Sequence, residues 1–153
     1  MEQIQTQPNI GKRVLAGFID YFIIYAVTFF LAYTLGEPND EGGYSLNGAP
    51  ALIPMIFWLF MTVGLEQLFG ATFGNGLVGL KPISILEHID GRIYKNAIQK
   101  STFGQSFKRH LLDLIDMFFF GLVAIITIKN SEKNQRLGDL WAKTTVIKIE
   151  DEK

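Results

Sequence analysis

Apolar residues along this chain gather in three blocks. Val14–Leu35, VLAGFIDYFIIYAVTFFLAYTL, carries one charge, Asp20. Ala51–Phe69, ALIPMIFWLFMTVGLEQLF, has none until Glu66. His110–Ile128, HLLDLIDMFFFGLVAIITI, holds Asp113 and Asp116 in its first half. A helix rises about 1.5 Å per residue, so the first block covers roughly 33 Å, enough for a bilayer core. A helix in a soluble core keeps a polar stripe, and residues 21–35 and 51–65 show none of comparable strength. The pattern predicts an all-α membrane protein, a small polytopic bundle of three apolar helices over 14–35, 51–69 and 110–128. The first block is too long for a cleaved leader, carries an acid and ends without a clean small-x-small site, so an uncleaved anchor is expected.

The polar positions between the blocks bear on topology. Lys12 and Arg13 precede the first block, and Gly36–Pro50 contains Glu37, Asp40 and Glu41 but no Lys or Arg. Gly70–Arg109 holds Lys81, Arg92, Lys95, Lys100, Lys108 and Arg109. Basic residues stay on the cytoplasmic side. The expectation is a multi-pass protein of the cell (inner) membrane, with residues 1–12 a cytoplasmic tail and 13–153 one membrane domain. The first loop then lies outside and the second inside. Three full spans would send the tail outside, although it carries Lys129, Lys133, Arg136, Lys143, Lys148 and Lys153.

A second pattern bears on that conflict. Ile83–Glu87 and Arg92–Lys95 flank HIDG, where Asp90-Gly91 is a turn signal, so a small cytoplasmic β-hairpin is expected. Thr144–Ile149 alternates like an edge strand and would gain from joining that hairpin, which requires both on one side. The third block would then re-enter, bending near Phe120-Gly121, with its irregular backbone covered by protein or water. Three plain spans and a re-entrant third segment both stand at this point.

Composition narrows the function classes. A length of 153 residues suggests one domain. A net charge of −1 with no basic domain gives no reason to expect nucleic acid. There is no Cys, which excludes disulfides, thiolate metal sites and Cys nucleophiles. His88 and His110 have no second ligand at metal spacing, so neither a metal nor another cofactor is expected. GNGLVG fits a phosphate-loop spacing in letters but follows an apparent membrane helix instead of a strand, and reads as a flexible exit. No Ser-His-Asp arrangement is legible, and no enzyme is expected.

The chemistry that remains is buried charge. RVLAGFID (13–20) and RHLLDLID (109–116) each place an Arg seven residues before an Asp. That spacing puts Arg13 and Asp20 on one helix face about 10 Å apart, with the small Ala16 and Gly17 between them admitting another helix. A charge at mid-bilayer costs about 2.5–3.5 kcal/mol, so such residues are kept when they pair or work. Asp20 would lie about 9 Å and Glu66 about 5 Å below the inner surface, where the two are expected to meet. Arg109, Asp113 and Asp116 form the stripe i, i+4, i+7. The expected site is one acidic cluster ringed by Arg13 and Arg109. It either locks the helices together or binds Na⁺ or protons, because crowded carboxylates raise at least one pKa. Three helices enclose little volume, so a pathway would need a homo-oligomer, most simply a dimer.

Three stretches, RVLAGFID, GATFGNGLVGLKPI and QRLGDLWAKTTVIK, together make the chain resemble the RDD family of small membrane proteins, named for one arginine and two aspartates. The resemblance covers nearly the whole chain. It implies Arg13 and Asp20 for the opening motif and Thr72, Gly74, Gly79 and Leu80 for the middle one. Asp139 is the match for the second aspartate, with Asp116 its rival. Asn75-Gly76 stands where the family often has Lys-Arg, which weakens a lipid- or partner-binding role there, and Lys143 stands where the closing motif usually has Gly. The family implies a helical membrane domain; transport has been proposed for it, and sodium–proton exchange for a member. Asp139 also has a local reading, as cap of a short helix from Leu140 or as partner of Arg13 or Arg109. The sequence therefore carries two hypotheses for Arg13, Asp20, Glu66, Arg109, Asp113, Asp116 and Asp139: cation or proton exchange, or a non-transporting scaffold or accessory subunit packed by the same charges.

Overall fold

A computed structural model describes residues 3–85, 93–94, 98–116 and 118–152. Helix α1 runs Ile10–Leu35, a turn earlier than the apolar block, so Arg13 is already helical. A second continuous helix covers Ala49–Phe69. It opens with a 3-10 turn, Ala49–Ala51, where Pro50 lacks an N–H that the first turn does not need. It continues as α2 (Leu52–Leu59), widens into a π-turn at Phe60–Gly64, and closes as α3 (Leu65–Phe69). Gly70 ends it at φ 83°, donating to the Glu66 carbonyl. A short hairpin, β2 (Glu37–Pro38) with β3 (Tyr44–Ser45), lies between the two long helices.

Both long helices are long and apolar enough to cross a membrane. A core helix of a soluble protein would pass the same test, but it would be covered. Here only 17 % and 22 % of the apolar stretches are buried. Phe22, Phe29, Phe30, Tyr33, Ile56, Leu68 and Phe69 all point outward. Apolar surface on this scale marks contact with something other than water.

The third block is not one helix of spanning length. It divides into α5 (Phe103–Leu111), α6 (Asp113–Asp116) and α7 (Phe118–Asn130). Gly121 sits at φ 84°, a left-handed conformation that only glycine adopts freely, inside α7. The apolar block that suggested a third helix over 110–128 is shared among the end of α5, α6 and α7.

The sheet explains where that segment begins and ends. Strand β4 (Leu80–Ser84), just after the second long helix, lies between β6 (Gln99–Lys100) and β7 (Thr144–Lys148). Strands β4 and β7 are antiparallel, from Leu80 opposite Lys148 to Ser84 opposite Thr144. The tail strand thus joins the loop strand, and everything from α5 to α8 (Leu137–Ala142) leaves one sheet and returns to it. The expected hairpin partner is different. Ile93–Tyr94 (β5) pairs with Gln3–Ile4 (β1) at the N-terminus, and the Asp90-Gly91 turn lies outside the described residues. Ile4, Ile83, Ile93 and Ile147 form a small core beneath both pairs. Among the described residues β4 pairs with β6 and β7, and β5 pairs with β1.

Candidate functional site

Asp139 in the first turn of α8 is the hub. Its Oδ1 accepts from Arg109 Nε at 2.7 Å, and its Oδ2 from Arg13 Nη1 at 3.3 Å and the Arg136 backbone N–H at 3.2 Å. The last bond caps α8, so Asp139 is both cap and network member. The Arg136 guanidinium lies 3.8 Å from Oδ1. Burial alone would favour the neutral acid, but Arg109, Arg136 and Arg13 outweigh it and hold the Asp139 carboxyl below the usual range. Arg136 is likewise buried, and Asp113, Asp139 and Asp116 more than offset that burial, raising its pKa above the usual arginine value.

From Asp139 the network crosses to the second long helix. Arg109 Nη1 reaches Glu66 Oε2 at 2.8 Å, and Arg109 is 1 % exposed. Ser101 and Ser106 donate to Glu66 Oε1 at 2.7 and 2.6 Å. The π-turn at Phe60–Gly64 inserts an extra residue into this helix just before Glu66 and buries Met61, Thr62 and Val63. Such bulges concentrate at functional positions. The capping box of Thr102 with Gln105 starts α5 so that Gln105, Ser106, Arg109 and His110 all turn inward.

His110 carries the network onward. Its Nε2 lies 3.1 Å from Glu66 Oε2 and its Nδ1 2.8 Å from Asp113 Oδ2. A neutral imidazole has one N–H, so donating to both carboxylates requires the imidazolium. Asp113 also accepts from the Tyr21 hydroxyl at 2.8 Å, and its Oδ1 lies 2.6 Å from Arg136 Nη1, an ion pair without hydrogen-bond alignment. Asp116 accepts from the backbone N–H groups of Leu137 and Gly138 at 3.1 and 3.0 Å, with Arg136 Nε 3.7 Å away. That approach needs Gly138, whose Cβ would sit 2.5 Å from the Arg109 carbonyl oxygen.

Asp20 stands apart. Thr72 Oγ1 donates to its Oδ2 at 2.7 Å and the Gly74 N–H to its Oδ1 at 2.6 Å. Both donors belong to the start of α4 (Phe73–Leu77), which Thr72 caps. The small residues on α1 admit this element: a Cβ on Gly74 would lie 2.1 Å from the Ala16 carbonyl oxygen. Among the described residues no basic group lies within ion-pair distance of Asp20.

Three sequence expectations about pairing therefore change. Arg13 pairs with Asp139, not Asp20, because seven residues along a helix leave too great a gap for an ion pair. Asp20 and Glu66 do not meet: α4 covers the first, and α5 covers the second. Arg109 turns toward Glu66 and Asp139, leaving Asp113 to His110 and Arg136. Two basic members escaped the site expected from the sequence, as did the hydroxyl donors Tyr21, Ser101 and Ser106. Arg136 was legible as the residue three before Asp139, and His110 as the residue three before Asp113.

A cavity of about 80 Å³ opens at the centre of these groups. Arg13, Asp20, Tyr21, Thr62, Asn75, Arg109, His110, Asp113 and Arg136 line its polar side; Val14, Ala124, Ile125 and Ile128 line the other. The space holds several waters or one small ion with part of its hydration shell. Arg13, at its wall, keeps Nε buried without a hydrogen-bond partner. Among the described residues no cluster of three or more His, Asp or Glu has the geometry of a metal site.

The RDD family model matches residues 7–143. The chain belongs to the RDD family. That match takes in both long helices, the middle loop and Asp139, so this RDD protein has its network inside the family domain. Family membership and the two uncovered apolar helices mark it as a membrane protein. No curated protein and no solved structure matches it. Lys143 adopts φ 54°, the left-handed conformation that glycine would take without strain.

Proposed function

We propose that this RDD protein is an integral membrane protein of the transport class, exchanging a small monovalent cation or a proton at the central cavity. The observation that carries the reading is a charge imbalance. Five buried carboxylates, Asp20, Glu66, Asp113, Asp116 and Asp139, face three guanidiniums, Arg13, Arg109 and Arg136. With His110 as imidazolium, one negative charge remains uncompensated among the described residues. An uncompensated charge in a low-dielectric site draws a proton or a cation. Asp20 is the carboxylate on the cavity wall that has no cationic partner among the described residues, so it is the exchanging group. The arginines hold Glu66, Asp113 and Asp139 in place, and backbone N–H groups hold Asp116.

In this reading α1 and the second long helix span the inner membrane, the sheet lies on the cytoplasmic side with most of the Lys and Arg residues, and the third segment re-enters. The pairing of β4 with β7 supports the re-entrant path, because a sheet does not straddle a bilayer. One chain lines the cavity, and the pathway to it from the two sides of the membrane is completed in a homo-oligomer, most simply a dimer. The scaffold reading keeps a specific observation too: most of the carboxylates are fully bonded, as a helix lock requires.

Asp20→Asn separates the two. An amide still accepts from Gly74 and donates to Thr72, so the protein inserts and folds. Purified protein in proteoliposomes is tested for counterflow of Na⁺ and H⁺. Transport predicts flux in the parent and loss of flux in Asp20→Asn at equal insertion. Absence of flux in the parent across monovalent cations and pH values overturns the proposal.

A further inference from the structure

Helix α5 is amphipathic in the reverse sense of a soluble helix. Its polar residues Gln105, Ser106, Arg109 and His110 are buried in the protein, and its apolar residues Phe103, Phe107 and Leu111 form an outward ridge at i, i+4, i+8. Leu114 continues the ridge at 82 % exposed. Phe103 and Phe107 stack with ring centroids 6.5 Å apart. Nine residues extend roughly 14 Å, too short to cross a bilayer. Beside the ridge, Lys108 is exposed with its Nζ 5.6 Å from the centre of the half-exposed Trp141 ring, and Leu140 is exposed next to it. An exposed ammonium excludes the hydrocarbon interior, and an exposed row of Phe and Leu excludes bulk water.

We infer that the α5 ridge with Lys108 and Trp141 is a membrane-boundary contact, in which Phe103, Phe107, Leu111 and Leu114 enter the acyl-chain region and Lys108 meets phospholipid phosphates. This rests on the membrane reading above. Aromatic and basic side chains together are the composition of such boundaries. Continuity points the same way: α5 packs on α3, whose Leu68 and Phe69 already face outward at the end of the second long helix. The consequence is mechanical. The buried face of α5 carries Arg109 and His110, so a helix held by lipid on one side positions the charge network on the other.

Because the chain has no Cys, single-cysteine spin labels report each site alone. Phe107→Cys and Leu111→Cys are labelled in nanodiscs containing phosphatidylglycerol, with Phe29→Cys as the lipid reference and Asp40→Cys as the water reference. Collision rates with oxygen and with a water-soluble nickel chelate are measured. The inference predicts that both ridge labels favour oxygen severalfold over the chelate, at a shallower depth than Phe29. Chelate access equal to that at Asp40 overturns the inference while leaving the membrane reading intact, provided Phe29 still reads lipid. Water access at Phe29 as well overturns both. Spin–spin broadening at Phe107 overturns it in favour of a second copy of the chain.

Discussion

Arg109→Met removes the side chain on which two carboxylates depend. Arg109 Nε and Nη1 hold Asp139 and Glu66 at 2.7 and 2.8 Å, in a position 1 % exposed. Methionine fills much of the same space, so packing loss is small and the cost is electrostatic. Removing one partner of a buried ion pair costs about 3–5 kcal/mol, because the remaining charges stay desolvated. Here Asp139 retains Arg13 and Arg136, and Glu66 retains His110, Ser101 and Ser106, which places the loss toward the lower end. At roughly 2–4 °C per kcal/mol for a chain of this size, Tm falls by about 6–12 °C. The assay is thermal loss of the monodisperse peak in detergent. Arg109→Lys keeps the charge but cannot fork to both acids, so its loss should be smaller. Adding Glu66→Gln to Arg109→Met should recover part of the loss, since one stranded carboxylate is then neutral. A Tm for Arg109→Met within about 2 °C of the parent would refute the claim that Arg109 is the network's junction.

Gly74→Ala should destabilise by about 1–3 kcal/mol, because its methyl group meets the Ala16 carbonyl; the same thermal assay checks it. Lys143→Gly should stabilise by about 1 kcal/mol by relieving a left-handed backbone that glycine adopts freely. Asp139 has a carboxyl pKa held below its unfolded value of about 3.9, so its stabilising contribution is present above that value and lost as pH falls through the lower folded one. Asp139→Asn should therefore lower stability near neutral pH and flatten the acid limb of the stability–pH curve, read as Tm against pH.

The long apolar runs made α1 and the second long helix legible, because length and the lack of a polar face are local properties. Alternation in TTVIK likewise showed that a tail strand exists. The pairings were legible only in part: Asp139 was named as a partner of Arg13 or Arg109 and joins both. Arg13 and Asp20 share a helix face, yet the ion pair forms with Asp139, 126 residues away, because tertiary packing brings α8 within reach. His110 read as an unsupported metal ligand; its role depends on Glu66 arriving from another helix. The π-turn was not anticipated, whereas the bend expected near Phe120-Gly121 falls where Gly121 takes φ 84°. Of the two candidates for the second aspartate, Asp139 joins three arginines, whereas Asp116 is held mainly by backbone N–H groups.

The central claim is that one negative charge at the cavity is exchangeable and resides on Asp20. Purified protein in weakly buffered detergent, with a pH-sensitive dye, reports protons released when a monovalent cation is added. Release that saturates with cation concentration in the parent, and disappears in folded Asp20→Asn, is the predicted result. A parent that releases no proton to Li⁺, Na⁺ or K⁺, or an Asp20→Asn variant that releases as much as the parent, would contradict it.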